Sequence, residues 1–424
     1  DLVIPVGGYG AFPEKVRELF PGHGGIPVAG HGGPAGPSRP PAGPSRGEGG
    51  ARAGAEAPPA GEGTEAGIAA KPRAPGSPAP GQLPFESWER ELAGTPRFRS
   101  YLKIAEGCGR GCSYCLIPSI RGPLAPVPLE ALRREAGRLA GAGVLELTLV
   151  AQDLTAWRDG KLDLGDLCRA LSEVPGLEWI RLMYLHPEAL TPRLVRAFRE
   201  APKVVPYLDV PFQHASPRIL KAMGRGRTRP METVGMVRGI WPEAAIRTTI
   251  MTGFPGEGEE DFRILRDFLR EARLDHAGFF KFSPEEGTPA ARMAGQVPRG
   301  VSERRRRALS SVQRKASREL NRARVGSVAD VLVEGPSEDA PEVACGRGSF
   351  QAPDADGLVY FDGEQPEAGR IVRARILKAG DFDLTAEFLD ARPRPGRGAE
   401  GGPRRAGGPG RGPGSGAQLA PRGR

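Results

Sequence analysis

The chain has 424 residues, enough for two or three domains, but its 61 glycines and 44 prolines are too many for one uniformly folded body. The formal net charge of +9 invites a nucleic-acid reading, yet eight arginines against one glutamate fall in residues 391–424, which leaves a body close to neutral. Five cysteines, three of them within eight residues, argue against a secreted disulfide scaffold and for a metal site in a reducing compartment.

In chain order, residues 1–21 offer an apolar run, LVIPV, and a short helix near residues 15–20, too little to bury a core. Residues 22–84 are Gly, Pro, Ala and Ser with few apolar anchors, which cannot offset the entropy of ordering, and they are expected to be a disordered linker. From residue 85 strand-like runs alternate with helix-period segments. YLKIAEG leads to PLEALRREAGRLAG, LELTLVAQ to a helix near residues 163–173, and WIRLMYLH and VVPYLDVPFQ each to another helix. AIRTTIMTGF precedes the amphipathic EEDFRILRDFLREAR, and AGFFKFS closes the series. Six such units predict an α/β fold, a partial (βα)6 barrel of parallel strands with ligands at their carboxyl ends. A basic helix, SERRRRALSSVQRKASRELNRAR, ends this unit at residue 324. Residues 325–390 carry VADVLVE, GLVYF, RIVRARILKAG and FDLTAEF, the short strands of a small all-β barrel, and the Arg/Gly/Pro tail from 391 to 424 is expected to be disordered. No leader and no apolar run near the roughly 18 residues of a membrane span is present, so a cytoplasmic protein without membrane contact is expected.

The segment EGCGRGCSYCLIPSIRG places Cys108, Cys112 and Cys115 on one loop directly after the first barrel strand. A closed zinc site wants four ligands, and the next histidine downstream is His186. Three thiolates instead suit a [4Fe-4S] cluster with one iron left without a protein ligand, a vacancy that the amino and carboxylate groups of S-adenosylmethionine (SAM) can fill. Glycines 107, 109 and 111 let the loop wrap closely. Tyr114 is expected to pack either on an adenine ring or into the core. Arg247 lies within the fifth strand, where an unpaired charge is costly, and should reach a carboxylate, that of SAM or one of the chain's own. Gly253, Gly256 and Glu257 form a turn after that strand that would let adenosine approach the backbone. Arg304–Arg307 is either a solvated helix face or a contact to RNA or an acidic partner. Cys168 and Cys345 stand alone in apolar patterns and read as small buried hydrophobes.

Taken together, YLKIAEGCGRGCSYCLIPSIRG, LTLVAQDLTAW, WIRLMYLHP, YLDVPFQHAS, IRTTIMTGFPGE, FFKFSPEEGTPA and APDADGLVYF resemble the radical SAM methylthiotransferases, and within them the branch acting on a ribosomal protein. The resemblance implies a radical SAM core followed by a TRAM-type barrel. It also implies a methylthio group added to the β-carbon of an aspartate of the twelfth small-subunit ribosomal protein. A tRNA-directed enzyme of the same chemistry and a non-catalytic ribosome-binding remnant are the alternatives. Cys108, Cys112 and Cys115 would be the catalytic cluster ligands, and Gln152, Gln213 and Ser216 would contact SAM. His214 receives no role. A reduced flavodoxin- or ferredoxin-type protein would donate the electron, and the terminal barrel and tail would touch protein substrate, rRNA or tRNA. The family carries three further cysteines, holding an auxiliary cluster, in an amino-terminal domain. None stands in this sequence, and residues 1–21 resemble the end of that domain, so its bulk is expected to be missing here.

Overall fold

A computed structural model describes residues 97–392. The expectations for residues 1–21 and 22–84 and for most of the tail lie outside this range. Six parallel strands form one open sheet in sequential order: β1 (Arg99–Lys103), β2 (Glu146–Val150), β3 (Trp179–Leu182), β4 (Val204–Asp209), β5 (Ala245–Thr252) and β6 (His276–Lys281). Each strand pairs in register only with its sequence neighbours, so the sheet curls without closing.

The connecting helices bury one apolar stripe each. In Leu164–Ser172, Leu164, Leu167, Cys168 and Leu171 face inward, and a capping box between Asp163 and Asp166 fixes its start. In Glu259–Ala272 the inward residues are Phe262, Leu265, Phe268, Leu269 and Ala272, and the helix stops where Arg273 turns left-handed at φ 44°. These stripes and the outward strand residues make one continuous core. Cys168 lies fully within it, and burial drives its thiol far above the ordinary range.

A 26-residue helix, α1 (Arg299–Arg324), runs along the open edge. Gln313 Nε2 donates to the Leu274 carbonyl at 2.7 Å and Ser317 Oγ to that of Asp275 at 2.7 Å. The basic run near its start is partly internal: Arg305 is buried against Glu257 at 2.8 Å and over the Phe262 ring, while Arg306 and Arg307 both reach Glu303 at 2.8 Å.

Beyond α1, strands β7 (Val328–Pro336), β8 (Ala344–Gly348), β9 (Val359–Asp362), β10 (Ile371–Ala379) and β11 (Leu384–Ala391) close a barrel in the order β7-β8-β9-β11-β10. Strand β8, ACGRG, is the one that pattern reading missed. Its glycines are required by close approach: a Cβ on Gly346 would stand 2.4 Å from the Leu332 carbonyl oxygen. Its arginine is buried inside the molecule.

That arginine, Arg347, joins the two units. The loop after β8, residues 349–356, fills the mouth formed by the amino-terminal halves of the six strands. Arg181 donates to the Ser349 carbonyl at 2.8 Å, Arg99 and Tyr101 hold Asp354 at 3.0 and 3.1 Å, Tyr207 donates to Asp356 at 2.6 Å, and His276 meets the Phe350 carbonyl at 2.9 Å. With that end plugged, the carboxyl mouth is left for chemistry.

Candidate active site at the carboxyl ends of the strands

The cysteine loop leaves β1 and folds back tightly. Gly107 sits at φ 71°, and a Cβ there would lie 2.2 Å from the Pro123 carbonyl oxygen, so only glycine fits. The Cys108 amide closes on the Gly122 carbonyl at 3.2 Å, and Cys115 turns back on the Cys112 carbonyl at 3.1 Å. All three thiols are free and partly exposed, whereas Cys168 and Cys345 are buried. The Arg110 amide donates to Cys108 Sγ at 3.4 Å and the Ile117 amide to Cys115 Sγ at 3.5 Å. Burial, with the neighbouring thiols, raises the Cys108 thiol, and the Cys115 thiol rises for the same reasons. Among the described residues no three such groups converge as a single metal ion requires. A cuboidal cluster, by contrast, takes each thiolate on a separate iron.

The loop is laced to the segment after β4. Ser113 N donates to the Met223 carbonyl at 3.1 Å, Ser113 Oγ to that of Ala222 at 2.8 Å, and Gly224, at φ 75°, lies so close that a Cβ would be 2.5 Å from the Gly111 oxygen. Tyr114 joins an apolar cluster with Ile219, Met223, Met251 and Phe254, its ring edge-on to Phe254 at 6.4 Å. The structure thus places this ring in packing contacts.

Other strand ends face the same mouth. After β2, the buried Gln152 Oε1 has no partner, and Asp153 accepts from Arg110 at 2.7 Å. After β3, Tyr184 adopts φ 63° and its amide donates to Asp209 at 3.1 Å. After β4, Gln213 is held at φ 69° by backbone bonds of 2.8 Å to Thr249 and Met251, and its buried Oε1 also lacks a partner. Left-handed backbone at two bulky residues is a cost of roughly 1–3 kcal/mol each, kept where the surroundings over-determine it and typical of functional sites.

Residues 102–269 match the Radical SAM superfamily and residues 325–389 the TRAM domain. The ribosomal protein uS12 methylthiotransferase RimO of Geobacter sulfurreducens is 44% identical over 310 residues, covering 72% of this chain and 69% of that one. Those of Syntrophobacter fumaroxidans (45% over 298 residues, 70% and 67%) and Moorella thermoacetica (47% over 295 residues, 68% and 67%) align similarly. The chain belongs to the RimO family. As a radical SAM protein it carries the family's requirement for a [4Fe-4S] cluster and SAM.

Within that family frame the remaining expected contacts divide. Arg247 is the third residue of β5, in its amino-terminal half, and its carboxylate partner is Asp356 of the plugging loop at 3.9 Å, the internal pairing. Glu257 is fully engaged: it accepts from the Gly253 amide at 2.7 Å and from Arg305 at 2.8 Å, with His214 Nε2 3.6 Å away. Ser216 is buried, its Oγ donating to Asp261 at 2.6 Å and its amide to His214 Nδ1 at 2.9 Å. Gly253, at φ 78°, is glycine because a Cβ would collide with Ser302 of α1 at 1.9 Å, which is a helix contact rather than a ligand's approach. The same turn is closed by the Glu257 amide on the Phe254 carbonyl at 2.9 Å, and Gly256, at φ 79°, ties it to the Gly295 carbonyl at 2.8 Å. Ser216, Gly253 and Glu257 therefore brace the turn.

Two titratable groups at this mouth, Arg225 and His186, receive no role in the sequence reading. Arg225 is buried beside the Cys112 thiol, donating to the Pro211 carbonyl at 2.6 Å. His186 is pushed down to about 4 by burial and by the cations Arg225 and Arg110, so its ring is neutral at physiological pH. Nothing in periodicity marks either residue, because what makes each notable, the Cys112 thiol beside Arg225 and the cations Arg225 and Arg110 beside His186, comes from other elements of the fold.

Proposed function

We propose that the chain is a uS12 methylthiotransferase that attaches a methylthio group to the β-carbon of an aspartate of that ribosomal protein. The observation that carries this reading is the free cysteine triplet on one braced loop, at the same carboxyl end of the sheet as two buried glutamine oxygens that have no partner. Cys108, Cys112 and Cys115 would hold the cluster, because each sulfur already has an N–H donor or cation beside it to offset thiolate charge. When bound, the cluster supplies the electron that splits SAM into methionine and a 5′-deoxyadenosyl radical.

The protein's own residues bind and orient. Gln152 and Gln213 present oxygens suited to the SAM ammonium, since an unsatisfied buried acceptor costs about 1–3 kcal/mol until a donor arrives. Tyr114 pins the cysteine loop against Phe254, and Gly253, Gly256 and Glu257 brace the turn after β5 at the same mouth. Five cysteines in the sequence, two of them buried in the folded units, leave ligands for one cluster on this chain. The reducing electron would come from a flavodoxin- or ferredoxin-type protein, and the terminal barrel, residues 325–390, would grip the protein substrate or neighbouring rRNA.

Anaerobic reconstitution with iron and sulfide, followed by dithionite and SAM, should give 5′-deoxyadenosine, and added uS12 should gain the methylthio group by mass spectrometry. Alanine at any one of the three cysteines should abolish both. Product without uS12 modification, but with modification of tRNA, would overturn the substrate assignment.

A further inference from the structure

Arg225 is a cation in an unusual position. It is 6% exposed, its Nε is buried without a partner, and one Nη donates to the Pro211 carbonyl at 2.6 Å. Among the described residues no carboxylate stands within the 4.0 Å of an ion pair with it. Glu188, the acid whose charge reaches it, is occupied by the Arg227 amide at 3.0 Å and the Thr228 hydroxyl at 3.3 Å. A buried guanidinium without an anion is costly, so the fold implies an anion that arrives later.

The neighbours say where. Residues 222–224 are stitched to residues 111–113 by two hydrogen bonds and the Gly224 contact, which sets Arg225 against Cys112. Cys108 and Cys115 each receive a backbone N–H, and the guanidinium is what stands beside the third sulfur. We propose that Arg225 sets the reduction potential of the cluster held by Cys108, Cys112 and Cys115, its fixed positive charge favouring the reduced state. The inference rests on the cluster assignment above. Reduction adds one electron from an external donor, breaks no bond and makes the cluster one charge more negative, so a cation at a ligand sulfur stabilises the product over the reactant. Arg225 is a positioning residue here, acting through Cys112 rather than on substrate.

The test is an anaerobic potentiometric titration of the reconstituted full chain, followed by electron paramagnetic resonance of the reduced cluster, without SAM. Arg225→Gln should make reduction at least tenfold less favourable, a drop of about 59 mV for one electron. Arg225→Lys, which keeps the charge but cannot reach both Cys112 and Pro211, should fall between, and it serves if the Gln variant fails to assemble. Equal potentials at equal iron content would overturn the proposal. So would an unchanged potential with weakened SAM binding, which would make the missing anion the SAM carboxylate. Wild-type chain that takes up no cluster would instead defeat the functional reading itself.

Discussion

Glu146, the first residue of β2, and Arg347, in the fourth position of β8, meet with Nη2 2.5 Å from Oε2, both fully buried, and so tie the catalytic barrel to the terminal one. Arg181 takes the other oxygen at 2.7 Å and Arg347 turns its Nε to Glu334 at 2.8 Å. Burial alone would raise the Glu146 carboxyl, but the two guanidinium groups outweigh it and hold the group at about 2.

Glu146→Gln leaves two buried cations short of an anion and should cost about 3–5 kcal/mol. The pH dependence has a definite sign. Because the folded carboxyl lies below its ordinary value near 4.3, this stabilisation is complete above about pH 4.5 and fades as pH falls toward 2. Denaturant unfolding across pH 2–7 should show the wild-type and variant curves converging in acid; parallel curves would mean the triad contributes nothing through charge.

Asp209 runs the other way. Burial pushes its carboxyl up to about 6 despite Arg247 and the Tyr184 amide, and Oδ1 is left without a partner. A raised carboxyl binds its proton more tightly in the folded chain, so stability should rise as pH falls from about 6 toward 4, and the ionised form is a burden above that window. Asp209→Asn, which still accepts from Tyr184, should stabilise the chain at pH 7.5 by about 3 kcal/mol, taking 1.36 kcal/mol for each pKa unit. A variant less stable than wild type at that pH would show that the charge is used.

Much of this was legible in the sequence, and the reason is local. Strand–helix alternation from β1 to β6 is written in consecutive apolar runs, and the cysteine loop in eight residues. What escaped was set by partners far away. Strand β8 looks like a loop because Gly346 is required by the Leu332 backbone of the neighbouring strand β7. Arg247 reads as a ligand-seeking charge until Asp356, from the other barrel, is placed beside it. The APDADG segment reads as a motif, and only the fold reveals it as the plug of the amino mouth. Arg225 carries no pattern at all.

Gln152 and Gln213 supply a separable prediction about SAM. Replacing either by Ala removes one buried acceptor without touching the cysteine loop, so iron content and the cluster's spectrum without SAM should be unchanged. The SAM concentration for half-maximal 5′-deoxyadenosine formation should rise about tenfold, equivalent to roughly 1.4 kcal/mol for one hydrogen bond to a charged donor. An unaltered SAM dependence in both variants would remove the two amides from the site.

Gly253 tests how far α1 governs the mouth. A methyl group there would meet Ser302 Oγ at 1.9 Å and Cβ at 2.6 Å, in a backbone conformation, φ 78°, that Ala resists. Gly253→Ala should therefore destabilise by about 2–5 kcal/mol, combining backbone strain of roughly 1–2 kcal/mol with overpacking of roughly 1–3 kcal/mol, and displace the start of α1. Adding Ser302→Gly removes the clashing side chain but not the strain, so it should recover only the packing share. The double variant's unfolding midpoint, set between those of Gly253→Ala and wild type, is the measurement. Full recovery would mean the left-handed turn is unstrained, and no recovery would mean that Ser302 is not what the glycine accommodates.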